Sequence, residues 1–121
     1  MTSLKLLLVE DDLAVRASLQ RRLRFEGFLV ESVDRGDVAV KRFTELRPDL
    51  VLLDLTLPGL HGFSVAQQIR LISDVPILIL TALTDLPAKD NPLQDSDHDY
   101  LIKLFRFSDM LARVSALLPK A

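Results

Sequence analysis

Apolar residues fall along this chain in two rhythms. Four runs, Leu4–Val9, Leu50–Leu53, Val75–Leu80 and the shorter Tyr100–Ile102, read as strands, and a more mixed one, Phe28–Val33, adds a fifth. The runs lack alternation, as strands buried on both faces do when they lie in parallel beneath helices. Between them the spacing becomes helical. Val15, Leu19 and Leu23 recur every fourth residue, and Gly27 follows as a helix stop. Ala39, Val40 and Phe43 mark a second helix after Gly36, and Val65, Ala66 and Ile69 a third after Gly62. Leu111, Val114 and Leu118 mark a last helix before Pro119, with Ser108 as its cap. Strand and helix alternate over the whole length, which predicts a parallel sheet covered on both faces and joined by right-handed crossovers.

One stretch breaks the rhythm. Residues 84–99, TDLPAKDNPLQDSDHD, stand where a fourth helix is due and hold Pro87, Pro92 and five aspartates against one lysine. A proline inside a helix costs roughly 3 kcal/mol. The expectation is a loop with at most a turn or two of helix, so that the fourth helix is short, broken or disordered.

Composition narrows the function classes. A length of 121 residues suits one domain and one core. The net charge of −2 offers no electrostatic case for nucleic-acid binding by this chain. The absence of cysteine excludes disulfide and thiolate chemistry, and His61 and His98 form no zinc pattern. No apolar run approaches the ~20 residues of a membrane span, and MTSLKLLLVEDD is too short and too acidic for a signal peptide. The default is a cytoplasmic protein.

The candidate chemistry stands at the carboxyl ends of the strands, where open parallel sheets bind ligands. The first strand ends in Glu10-Asp11-Asp12, the third in Asp54, the fourth in Thr81-Ala82 and the last in Lys103. If the first and third strands are neighbours, Glu10, Asp11 and Asp54 share one small volume. Carboxylates crowded together need a cation, and hard oxygen ligands with room for water suit Mg²⁺. Taken singly, each has a plainer reading: Asp54 as a loop acid, the acidic run as charge favouring a helix start, Thr81 as a cap, Lys103 as a solvated cation. Four strand ends with complementary groups are hard to call accidental. Arg16, Arg21, Arg22 and Arg24 read as a solvated helix face and His61 as a turn residue.

The pieces LLLVEDD, RPDLVLLDLTLPGLHG, DVPILILTA and DYLIK, in this order and spacing, resemble the receiver domain of two-component response regulators over essentially the full length. The resemblance extends to the receivers of winged-helix transcriptional regulators. It implies a flavodoxin-like (βα)5 three-layer sandwich with parallel strand order 2-1-3-4-5. It also implies that Asp54 accepts a phosphoryl group from a sensor histidine kinase, with Mg²⁺ as cofactor. Asp11 would ligate the metal directly, Glu10 through water, and the backbone carbonyl of Thr56 would complete the protein's share. Thr81 matches the hydroxyl that moves to the phosphoryl oxygen, and Ala82 the small residue that leaves the site open. Lys103 matches the cation that pairs with the phosphoryl group, and Tyr100 the aromatic that turns inward on activation. The resulting switch changes the face made by the fourth strand and the last helices to control an output. Phosphorylation and dephosphorylation would be self-catalysed rather than the work of a separate enzyme.

The chain also departs from the pattern. Leu104 follows Lys103 where the family has proline in cis, and a cis bond without proline would cost ~2.5–4 kcal/mol, so a trans bond is expected. The acidic stretch would repel its copy across a symmetric interface, so a homodimer would use a non-standard face. The whole of residues 1–121 is read as one receiver, with no winged-helix DNA-binding domain in this chain. The rival reading is a pseudo-receiver that works by protein contacts without phosphorylation. An aspartate-based phosphatase would want a second acid where Thr56 stands. A dinucleotide enzyme would want a glycine-rich loop that Gly27, Gly36, Gly59 and Gly62 do not make.

Overall fold

The computed structural model describes residues 3–55, 57, 59, 61–81, 98–102 and 105–118. Among the described residues nine elements follow one another: β1 (Lys5–Val9), α1 (Leu13–Phe25), β2 (Leu29–Val33), α2 (Gly36–Leu46), β3 (Leu50–Asp54), α3 (Gly62–Arg70), β4 (Ile77–Thr81), β5 (His98–Ile102) and α4 (Phe107–Leu117). The strands form one sheet in the order β2-β1-β3-β4-β5, and every pairing is parallel. This is the parallel sheet that the alternation of apolar runs and helical stripes predicts, in the flavodoxin-like strand order that the resemblance implies.

The uninterrupted apolar runs serve two cores at once, because successive side chains of a strand point to opposite faces. On one face Leu7, Val9, Val51, Leu53, Ile77 and Ile79 pack against Ala39 and Phe43 of α2 and Val65, Ala66 and Ile69 of α3. On the other, Leu6, Leu8, Leu50, Leu52, Leu78 and Leu80 pack against Leu19 and Leu23 of α1 and Met110 and Val114 of α4. Each buried leucine or isoleucine contributes roughly 1.5–3 kcal/mol, which holds the sheet rigid enough to fix the groups at its ends.

Several local expectations are corrected. The fourth apolar run begins at Val75, but β4 begins at Ile77: Pro76 has no N–H to give, and the Val75 N–H is taken by Ser73 Oγ at 3.1 Å. The last strand begins at His98, not Tyr100, since His98 and Asp99 pair with Ile77 and Leu78. The loop expected through residue 99 therefore ends sooner, and residues 84–97, which carry the broken-helix expectation, lie outside the described residues. Ser108 is not the cap of α4. Arg106 holds that place in extended conformation, and its carbonyl accepts from Asp109 N–H and Met110 N–H at 3.0 and 3.2 Å. The buried stripe of α4 is Met110 and Val114, with Leu118 just beyond its end, and Leu111 is half-buried. Val15 is 42% exposed, because the first turn of α1 stands at the rim of the sheet, and the buried stripe reduces to Leu19 and Leu23.

Candidate metal and phosphoryl site

β1 and β3 are neighbours, paired from Leu6 with Leu50 to Val9 with Leu53. The next residue on each strand is therefore Glu10 on one and Asp54 on the other, side by side at the carboxyl end. β4 continues the row: Leu80 lies opposite Asp54, and Thr81 is one residue further. Glu10, Asp54 and Thr81 are 2%, 1% and 1% exposed, and they are the buried polar side chains among the described residues. The neighbouring Asp11 stays exposed.

Carboxylate oxygens of Glu10, Asp11 and Asp54 all lie within 4.8 Å of one another. The cost of this gathering is visible in Glu10, whose pKa is pushed up from 4.5 to about 8. Burial is the largest cause, followed by the hydrogen bond with Asp54 and the repulsion from its charge; the Asp12 N–H acts the other way. That N–H donates to Glu10 Oε2 at 3.3 Å.

The acidic turn is tied down on several sides. Glu10 N–H donates to Val33 O at 3.0 Å, fastening the turn to β2. Asp12 is the N-cap of α1, accepting from Val15 N–H at 3.0 Å. Arg16 Nη1 donates to Glu10 O at 3.0 Å and reaches Asp11 O at 3.4 Å.

The backbone after Asp54 is equally constrained. Leu55 N–H donates to Leu80 O at 3.2 Å, and Gly62 N–H to Leu55 O at 3.1 Å. Gly62 opens α3 with no room for a side chain: a Cβ there would stand 2.5 Å from Leu55 Cα and 2.7 Å from Asp54 O. Gly59 has φ +84°, and a Cβ there would meet Asp37 Oδ1 at 2.5 Å. Asp37 is itself paired with Arg35 at 2.9 Å. His61, expected only as a turn residue, is the N-cap of α3; its Nδ1 accepts from Phe63 N–H at 3.2 Å and its ring stacks on Phe63.

Of the other expected residues, Tyr100 lies on β5 opposite Ile79, half-buried against the α2 and α3 face of the core. Strand alternation puts Thr81, two residues beyond Ile79, on that same face. Arg113 of α4 donates to Asp99 Oδ2 at 2.7 Å and to Tyr100 O at 3.2 Å, bracing this strand. Thr56, Ala82, Lys103 and Leu104 lie outside the described residues, and the cis or trans state of the Lys103–Leu104 bond lies with them.

Of the four arginines of α1, Arg21, Arg22 and Arg24 are exposed, as a solvated face requires, and Arg16 is half-buried. Arg16 holds the acidic turn, Arg24 Nη2 donates to Val30 O at 2.9 Å, and the Arg22 guanidinium sits 4.3 Å from the Phe107 ring centroid. The signal for Arg16 was its place in the first turn of α1, since helical side chains lean toward the N-terminus.

A doubly wound parallel sheet with acids gathered at the carboxyl ends of its central strands puts the chain among the open α/β folds, which bind ligands at that edge. The chain belongs to the response regulator receiver domain family, whose sequence profile matches residues 6–115. It is 41% identical over 118 residues to the transcriptional regulatory protein PrrA of Mycobacterium tuberculosis, covering 97% of this chain and 51% of that protein. Among solved structures it is similar to the BeF3-activated N-terminal receiver domain of RstA from Klebsiella pneumoniae, with TM-score 0.83, 32% identity, and coverage of 96% of this chain and 99% of that one. It is also similar to the receiver domain of a sensor histidine kinase from Pseudomonas aeruginosa PAO1, with TM-score 0.84, 32% identity, and coverage of 96% and 98%. That structure has a magnesium ion coordinated in its active-site cleft. The chain spans about half the length of the curated relatives it matches. The family places it in two-component signalling, and its relatives are regulators of transcription. No helix among the described residues is long and apolar enough to cross a membrane.

Proposed function

We propose that this chain is a cytoplasmic, phosphorylation-dependent signalling switch in which Asp54 takes a phosphoryl group from a sensor histidine kinase. The reading rests on one observation: three carboxylates from two adjacent strands meet within 4.8 Å, two of them buried, beside a buried hydroxyl on the next strand. Buried acids without a cation are costly, and this set of hard oxygens fits a small divalent ion such as Mg²⁺. Asp11 and Asp54 would hold it directly and Glu10 through water, with the Thr56 carbonyl as a further ligand. When bound, the ion would neutralise the acids and the oxygens of the incoming phosphoryl group.

The chain's own groups divide the remaining work. Phosphoryl transfer asks a protein mainly for positioning and charge stabilisation. The ladder from Val9–Leu53 to Asp54–Leu80 fixes the backbone that carries Asp54 at the carboxyl end of the sheet. An Asp54 oxygen attacks phosphorus in line, the bond from phosphorus to the donor nitrogen breaks, and that nitrogen leaves with the electron pair. Thr81 Oγ would then donate to one phosphoryl oxygen and Lys103 would pair with another, with Ala82 leaving space. Thr81 moving toward the phosphate vacates volume on the face it shares with Tyr100, and Tyr100 fills it. The output is a population shift between two packings of the β4–β5 edge.

The test is direct. With Mg²⁺ and a small phosphodonor, the intact mass of the protein should rise by one phosphoryl group, and Asp54→Asn should abolish the gain. No adduct together with no Mg²⁺ binding would leave the pseudo-receiver in possession of the field.

A further inference from the structure

Arg16 is placed where neither a solvated charge nor a phosphoryl ligand would be. Its side chain is half-buried, and its guanidinium turns back along α1 to the carbonyl oxygens of Glu10 and Asp11. Those two residues supply the carboxylates that meet Asp54. A carbonyl and the side chain of the same residue are joined through one Cα, so fixing the peptide plane fixes the direction in which the carboxylate leaves the backbone. We propose that Arg16 is a positioning residue for the divalent cation, holding the Glu10–Asp11 turn in the one geometry that lets both acids reach Asp54. This rests on the reading that these acids bind Mg²⁺.

The other ties on the turn do part of this job. The bond from Glu10 N–H to Val33 O fixes the peptide before Glu10, the Asp12 N–H on Glu10 Oε2 steadies the peptide after Asp11, and the Asp12 cap fixes the first turn of α1. The two carbonyls between them point to α1, and Arg16 is the side chain seen to engage both. Both bonds come from Arg16 Nη1, which stands one bond further along its side chain than a lysine Nζ, so a lysine would reach the two carbonyls less well.

Charge alone makes the opposite prediction, which renders the proposal testable. Arg16 is a cation close to a cation site, so by Coulomb's law its removal should tighten Mg²⁺ binding. If Arg16 acts by position, its removal should weaken binding, as loss of partners that orient metal ligands does by roughly 10–100-fold. The experiment is a Mg²⁺ titration of the wild-type chain, Arg16→Met and Arg16→Lys, by calorimetry and by backbone amide shifts. A melt of each protein without Mg²⁺ reports stability separately. Arg16→Met should raise the dissociation constant roughly tenfold. Arg16→Lys should lie between it and the wild type. Unchanged or tighter binding by Arg16→Met, even with a lowered melting temperature, overturns the proposal and leaves Arg16 a structural tie. Should Arg16→Met not fold, Arg16→Lys decides: a severalfold weaker affinity supports the role and wild-type affinity overturns it. A wild-type chain that binds no Mg²⁺ brings down both this inference and the reading beneath it, whereas failure at Arg16 alone leaves that reading standing.

Discussion

The two ends of the central strands use aspartate in opposite ways. At the amino end, Asp49 stands just before β3 and is partly exposed; its Oδ2 accepts the backbone N–H of Lys5 at 2.7 Å, and its own N–H donates to Lys5 O at 2.7 Å. It is a clasp between β1 and β3, with every bond local and water at hand. At the carboxyl end of the same two strands, Asp54 and Glu10 are buried beside each other, and burial first, with the neighbouring Asp54 second, raises the Glu10 pKa to about 8. One end is assembled to be satisfied as it stands. The other is assembled with an excess of negative charge that a cation or a proton must answer.

The largest contrast to test is chemical. Asp54→Asn should lose the phosphoryl adduct completely, as read by intact mass, while Asp49→Ala should keep it. An adduct surviving in Asp54→Asn would move the acceptor elsewhere and end the contrast.

The next contrast is in pH. The Glu10 carboxyl ionises near 4.5 when unfolded and near 8 when folded, so the folded chain holds its proton longer. Without metal, the stabilisation is full below pH 4.5 and is lost as pH rises toward 8. Denaturant unfolding across that interval should show stability falling by a few kcal/mol, and Glu10→Gln should flatten the slope. Saturating Mg²⁺ should reverse it, because the ion requires the ionised acids. A flat profile in the wild-type chain would show that neither burial nor the neighbouring Asp54 holds the proton on Glu10.

Packing comes third. Gly62→Ala should destabilise the fold by about 1–3 kcal/mol, because its Cβ would press on Leu55 Cα and Asp54 O. It should also impair phosphorylation in whatever fraction folds. Last, Asp49→Ala should cost about 1 kcal/mol in a chemical melt and leave Mg²⁺ affinity unchanged, since its bonds are exposed and far from the crevice.

Much of this arrangement was legible in the residues. The apolar runs mark all five strands, and the acids after β1 and at the end of β3 mark the place where three carboxylates meet. Asp54 stood out because a carboxylate ends an otherwise apolar run. What escaped was set by neighbours distant in sequence. The α4 start at Phe107 depends on that ring packing against the α1 face of the core, which overrides the preference of Ser108 for capping. His61 caps α3 through a ring nitrogen, a role that residue preferences rank low. Arg16 looked like one of four surface cations because its partners are carbonyl oxygens, which a sequence does not display.

Gly62 has a consequence beyond its own helix. It brings α3 to within van der Waals reach of the peptide that carries Asp54, using the space a methyl group would need. In a random mutant library screened for lost signalling, hits should therefore gather at a position with no functional group to lose. An investigator ranking alleles by side-chain chemistry alone would overlook it.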